Sequence, residues 1–416
     1  MATPTTADKP IELDDARRLV LERVSPLGEE SVPLREALGR LLAADVASAD
    51  PVPGFDNSSL DGFAVRAADT GGASPESPVT LRVVDESRAG HPARSGIGEG
   101  EAIEISTGAV VPQGADSVVR VEDTTTRDGS VEVMAEVAPG NALRHAGDDI
   151  EPGAVVLGKG TRVGPAELGV LASVGVAQVP CARRPRLAVL TTGDELLEPD
   201  EPQRPGGVRN SNAFTIPALA LAAGAEVVGI ETVGDEPKPT TAAIEHMLRG
   251  EIAVICGGVS VGEHDHVKAA LTSLEVEEVF WRVALKPGKP TWFGLAPSGT
   301  LVFGLPGNPV SAMVTFLLFV RPAIGAMIGA SDDARRIRAI LDEPLPKPPG
   351  RAHAVRCRLE LRDDGWHARP TGKQDSHVLT SMLGAEALTI VPADAEPPAV
   401  GELVELELLT ALGSAP

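Results

Sequence analysis

Along residues 11 to 47 apolar side chains recur every three to four positions, first at Leu13, Ala16, Leu19 and Val20, then at Leu34, Ala37, Leu38, Leu41 and Leu42. This is the period of a helix with one buried face. The stretch Ser25 to Pro33 interrupts it with turn formers, so two N-terminal helices are predicted. From Pro51 to about Gly160 the period changes to short alternating runs, VTLRVVDES, EAIEIST, DSVVRVED and SVEVMAEV, bounded by Gly, Pro and Asp. Alternation of this kind predicts half-buried strands and hence a β-rich domain.

A third texture begins at Arg186. The runs LAVLTTGDEL, LALAAGAEVVGI, EIAVICGGVS and TLVFGLPGNP are apolar throughout and alternate with helical stretches, as buried parallel strands with crossover helices do. After Arg321-Pro322 and the proline-rich EPLPKPPG the chain returns to alternating runs that end in ELVELELL. The expected fold class is therefore multidomain α/β plus β. The divisions are residues 1–50 and 150–180 as a helical and linking region, 51–149 as the β-rich domain, 181–330 as the α/β domain, and 331–416 as a small C-terminal β domain.

Composition narrows the functional classes. The chain has 416 residues, more than one core holds. Its 43% hydrophobic and 23% charged residues are those of a folded globular protein. Aromatic residues are only 3%, with no tyrosine, and the net charge is −22, so neither base stacking nor a polyanionic nucleic-acid partner is expected. An anionic substrate would need a local cluster of Lys, Arg and backbone N–H groups. Cys181, Cys256 and Cys357 are far apart and form no CxxC pair, which fits a reducing cytoplasm. The first residues, MATPTTADKPIELDDARR, hold no apolar segment, and the apolar run Val314 to Val320 is too short to span a bilayer, so neither export nor membrane insertion is expected.

Four loops of the α/β region carry candidate chemistry, because ligands of such sheets sit at the carboxyl ends of the strands. Thr191-Thr192-Gly193-Asp194-Glu195 ends a strand with two acids; taken alone, its ordinary use is to cap a following helix. Cys256-Gly257-Gly258-Val259-Ser260 is a glycine-rich turn that lets backbone N–H groups, including those near Gly258 and Ser260, approach an anion. Lys286-Pro287-Gly288-Lys289-Pro290 sets two ammonium groups on a stiff turn, where solvated surface lysines are the plain alternative. In Gly304 to Pro309, Asn308 is placed as an N-cap and Pro309 as the first residue of a helix, with Gly307 beside them.

In this order the loops TTGDEL, GGVSVGE, KPGKP and LPGNPVS resemble the signature of the MoeA/gephyrin family. The resemblance extends to Ser58–Ala64 (SSLDGFA), Ile105–Glu122, Arg144–Gly153 and Thr371–Ser381, and so covers nearly the whole chain. It implies a MogA-like central domain and an elongated homodimer. It further implies an enzyme that takes adenylylated molybdopterin and molybdate and releases AMP with the help of Mg2+. By the same resemblance Glu195, Asp235 and Asp265 match metal-holding positions, and Lys286, Lys289, Arg356 and Ser376 are placed on molybdate. It also implies that the site forms between the central domain of one subunit and the terminal domain of its partner, with Asp61, Thr107 and Asp149 contributing from the β-rich half. On their own those three read as a turn aspartate, a loop threonine and an Asx-turn acid. Leu60 and Phe63 depart from the family's usual Met and Tyr. His264 and His266 flank Asp265, but neighbouring side chains point apart, so a transition-metal site is not expected. Two other classes compete: a gephyrin-like scaffold or adaptor that binds partner proteins, and a generic nucleotide-binding α/β protein. The second lacks both GxxxxGK[ST] and GxGxxG after a strand.

Overall fold

A computed structural model describes residues 9–258, 266–330, 336–347 and 350–409. The chain forms two compact units, Ser31–Pro180 and the union of Met1–Glu30 with Cys181–Pro416.

Within Ser31–Pro180 the alternating runs form a six-stranded sheet. Its strands include Gly62–Val65, Val79–Ser87, Glu101–Ile105 and Ser117–Arg120. Phe63, Val65, Leu81, Val119, Val131 and Val133 pack on one another as a core. The second N-terminal helix does not form. Leu34–Glu36 makes a single 3-10 turn, and Gly39 at φ +76° ends it. Leu41 instead bridges to Arg162 and the Leu42 N–H bonds to the Thr161 carbonyl, so both are buried in extended backbone, while Leu38 faces solvent.

In the other unit, α1 (Leu13–Leu21) does form. It buries Leu13, Ala16 and Val20 and carries Asp14 and Asp15 in its first turn, where acids favour the helix dipole. The central sheet comprises β1 (Arg186–Thr192), β2 (Glu226–Val233), β3 (Ile252–Cys256), β4 (Glu277–Trp281), β5 (Trp292–Leu295) and β6 (Leu301–Leu305), in the spatial order β2-β1-β3-β6-β5-β4. β2, β1, β3 and β6 run parallel, and β5 is antiparallel to both its neighbours. Helices cover both faces: α2 (Asn212–Ala223) and α5 (Pro309–Ile328) on one, α3 (Pro237–Met247) and α4 (His266–Ser273) on the other. That two-sided burial is why the strands read as unbroken apolar runs.

α5 corrects the length inferred from Val314–Val320. A π turn at Phe316–Val320 accommodates Pro322, so the helix continues through it for 20 residues. It is long and apolar enough to cross a membrane, but 78% of its most apolar window is buried inside the protein, where it forms the central core helix.

The C-terminal strands β7 (Arg336–Leu341), β8 (Ala352–Arg362), β9 (Gly365–Pro370), β10 (Ala387–Val391) and β11 (Leu403–Leu408) close on themselves in the order β8-β9-β7-β11-β10, because β10 pairs again with β8. Closure leaves no edge among these five. Leu341, Val355, Cys357, Leu406 and Leu408 fill the interior.

At one end of this barrel His367 is held between two carboxylates, Nδ1 at 2.7 Å from Asp342 and Nε2 at 2.9 Å from Asp364, with Arg362 bridging to Asp342. Hydrogen bonds to Asp342, then to Asp364, raise the imidazole pKa above 6.5. A raised folded-state pKa means that the stabilisation is complete below pH 6.5 and is lost as pH rises through the raised value. Thermal melts should therefore show the wild type losing stability in that window relative to a His367→Gln variant. Parallel melting curves for the two proteins would exclude the clamp.

Candidate functional site

The carboxyl ends of β1, β2, β3 and β6 open into a cleft of about 570 Å³, lined among others by Thr192, Glu195, Asp235, Gly258, Gly307 and Asn308. The structure thus brings five of the sequence candidates, Glu195, Asp235, Gly258, Gly307 and Asn308, into one cavity. Ser260 and Asp265 lie outside the described residues.

The loop after β1 does not cap a helix. It turns back into the short strand Leu196–Leu197, which pairs in parallel with Val208–Arg209. Its first acid does other work, because the Asp194 carboxylate accepts the backbone N–H of Asp235 at 2.9 Å and ties the loops after β1 and β2 together. That tie sets Glu195 and Asp235 on the same wall of the cleft. Asp194 is thus a positioning residue that its place beside Glu195 in the motif signals only weakly.

Asn308 occupies the N-cap position of α5, but its side chain makes no capping bond. Its Nδ2 donates instead to Ser376 Oγ at 3.3 Å, within the same chain. The terminal segment that carries Ser376 therefore reaches the mouth of the cleft without a second subunit.

The two lysines share this arrangement. Leu285–Lys286 is not a strand of the central sheet; it pairs in parallel with the start of β8, with Lys286 opposite His353. Three residues further along β8, Arg356 is fully buried. Lys286 and Arg356 are accordingly joined through one sheet of one chain, which corrects the expectation that they meet only across a dimer. Lys289 is exposed at the tip of the turn. Gly288, at φ +119°, packs against α5, and a Cβ there would overlap Thr315 Cγ2 and crowd Leu285. Gly288→Ala should therefore lower stability by about 1–3 kcal/mol, with the loss read from urea melts; an unchanged midpoint would refute this packing.

The Arg356 guanidinium donates to Ser381 Oγ at 3.0 Å and to the Lys373 carbonyl at 3.3 Å through Nη2. Its Nε and Nη1 are buried with no partner among the described residues. Burial is the main cause that lowers its pKa from 12.5 to about 10, with Asp375 opposing. Gln374 clamps the backbone on both sides, accepting from Arg356 N at 2.9 Å and donating to Arg356 O at 3.2 Å. Nothing local in the sequence marks Gln374 or Ser381 as its supports. His353 is buried too, its Nδ1 bonded to the Pro346 carbonyl. Burial first, then the charges of Lys286 and Arg356, hold it below its usual pKa. A buried cation with two undirected N–H donors is an arrangement that an oxyanion completes.

Cys256, at the end of β3, also lines the cleft, but burial pushes its thiol up to about 12, so it supplies no thiolate. In the unit Ser31–Pro180, Asp61 accepts from the Thr107 backbone N–H at 2.7 Å and from its hydroxyl at 3.0 Å. These two bonds, the backbone one foremost, hold the exposed Asp61 below the usual carboxylate range. Asp149 is exposed in the same unit, its backbone N–H bonded to Val52 O.

Fold and site together define an α/β protein whose strand-end cleft pairs two carboxylates with a glycine-rich floor, and whose terminal barrel buries an arginine with Nε and Nη1 unpartnered among the described residues. Comparison with known proteins makes the class specific. Residues 11–175 match the MoeA N-terminal region (domain I and II), residues 188–326 a probable molybdopterin binding domain, and residues 338–409 the MoeA C-terminal region (domain IV). The chain is 36% identical over 406 residues to the molybdopterin molybdenumtransferase of Bacillus subtilis, covering 96% of this chain and 94% of that one. It is also 36% identical over 409 residues to molybdopterin molybdenumtransferase 2 of Mycobacterium tuberculosis, covering 96% and 99%. A solved molybdopterin biosynthesis MoeA protein from Pyrococcus horikoshii superposes with a TM-score of 0.79 at 33% identity, over 97% of this chain and all of that one. The chain belongs to the MoeA family.

Proposed function

We propose that the protein is a molybdopterin molybdenumtransferase, which inserts the metal of molybdate into adenylylated molybdopterin and releases AMP. The observation that carries this reading is the convergence, in one chain, of a carboxylate-lined cleft and a buried cation with two nitrogens, Nε and Nη1, that lack partners among the described residues. The cleft suits the organic substrate and its phosphates. Arg356, with Lys286 on the adjoining strand and Lys289 and Ser376 as further donors, suits a tetrahedral dianion, which several fixed donors hold better than one charge.

A divalent cation fits the donor set. Glu195 and Asp235 offer hard oxygen ligands from two tethered loops, leaving positions for water and substrate oxygens, as Mg2+ prefers. When bound, it would neutralise charge on the phosphates where AMP departs. The chain's own part is to hold these groups in register through Asp194 and to keep the oxyanion donors dry. A homodimer in the cytoplasm completes the reading, supported by the burial of Cys256 and Cys357 as thiols and by the family.

The direct test mixes purified protein, Mg2+, molybdate and adenylylated molybdopterin and measures AMP. Release that depends on molybdate is expected; none would defeat the reading. Glu195→Gln and Asp235→Asn should each raise the Mg2+ concentration needed by at least about tenfold while melting like the wild type. An unchanged Mg2+ titration in either variant would remove that carboxylate from the site.

A further inference from the structure

The floor of the cleft holds a second, separate polar arrangement. Asn212, at the start of α2, is 8% exposed, and its Nδ2 donates to the Gly307 carbonyl at 2.8 Å. That bond fixes the orientation of the amide and leaves Oδ1 buried without a partner among the described residues. Thr192, 7% exposed at the end of β1, likewise has a buried hydroxyl with no partner among them. Both residues line the cleft. Between them runs a saddle of glycines. A Cβ on Gly257 would strike the Thr192 carbonyl, one on Gly258 would strike Val267, and Gly307 lies directly against Gly257. Gly257 and Gly258 also have φ of +98° and +62°, which side chains rarely adopt.

Two oxygens that are out of water and without partners among the described residues are costly unless a ligand bonds to them. A planar heterocycle does so along its edge. The pterin ring carries two adjacent donors, N3–H and the 2-amino group, whereas the adenine edge sets one amino group beside a ring acceptor. Asn212 Oδ1 can only accept, so it rejects an acceptor placed opposite it.

We propose that Asn212 and Thr192 read the N–H edge of the pterin, seated on the Gly257–Gly258–Gly307 saddle, and so favour that edge over the edge of an adenine. This rests on the cleft being the molybdopterin site and assigns which residues recognise the ring.

The test uses 6-carboxypterin and its N3-methylated analogue, with binding followed by pterin fluorescence. Wild-type protein is expected to bind the unmethylated probe about tenfold more tightly, the scale of one buried hydrogen bond left unmade. Asn212→Leu should reduce the ratio to about twofold. Thr192→Val is nearly isosteric and strands no existing partner, so it keeps the fold and should lower affinity for the unmethylated probe. A ratio unchanged in both variants, or no discrimination by the wild type, overturns the proposal. AMP release by the wild type, measured in parallel, separates the two failures. Release with unchanged ratios defeats only the pterin-edge reading, whereas no release and no pterin binding defeat the enzymatic reading as well.

Discussion

Arg356→Met should abolish molybdate-dependent AMP release by on the order of 100-fold or more while leaving the protein at least as stable as the wild type. The two halves of this expectation have one cause. The guanidinium is fully buried, two of its nitrogens lack partners among the described residues, and its pKa falls to about 10. Burial is what disfavours the charged form. An apolar side chain of similar length relieves that cost and gives up the bonds to Ser381 and Lys373, an exchange that is commonly neutral or favourable in buried ionic sites. On the proposed function the cation serves an anion that arrives, rather than the resting fold. Molybdate, or tungstate as its isostere, should raise the melting temperature of the wild type and leave that of Arg356→Met unchanged. Strong destabilisation of the variant without loss of molybdate dependence would show that Arg356 is structural.

The sequence exposed whatever depends on local pattern. β1, β3 and β6 were legible as apolar runs because both faces of the sheet are covered, and the LPGNP turn was legible because a proline is best placed in the first turn of a helix. Errors arose where local grammar has two uses. Leu34 to Leu42 has helical spacing, but Gly39 breaks the helix and Leu41 and Leu42 pair in extended backbone with Arg162 and Thr161. TTGDE has the composition of a helix start, yet Asp194 serves to tie two loops. Asn308 stands at an N-cap and spends its side chain on Ser376. The pocket around Arg356 was legible only through family resemblance. Gln374 and Ser381 lie 18 and 25 residues from Arg356, and the pairing of Lys286 with His353 spans the whole proline-rich linker. Side-chain period says nothing about such closures.

That last pairing decides how the oxyanion site responds to mixing of subunits. Lys286 and Arg356 sit on adjoining strands of one chain, and Ser376 touches Asn308 of that chain as well. If the protein is a dimer, each subunit then carries its own complete set of these groups. Lys286→Ala and Arg356→Ala should each be inactive, and a mixture brought through subunit exchange should stay inactive, because every pocket in a heterodimer lacks one of the two cations. A pocket shared across a two-fold axis behaves differently: one of the two pockets in each heterodimer would be intact, and up to about half the wild-type activity per heterodimer would return. The measurement is AMP release from the mixed sample, with heterodimers confirmed by native mass spectrometry. Recovery toward half would mean that the partner subunit, rather than the strand pairing of Lys286 with His353, completes the pocket, and would overturn the single-chain assignment.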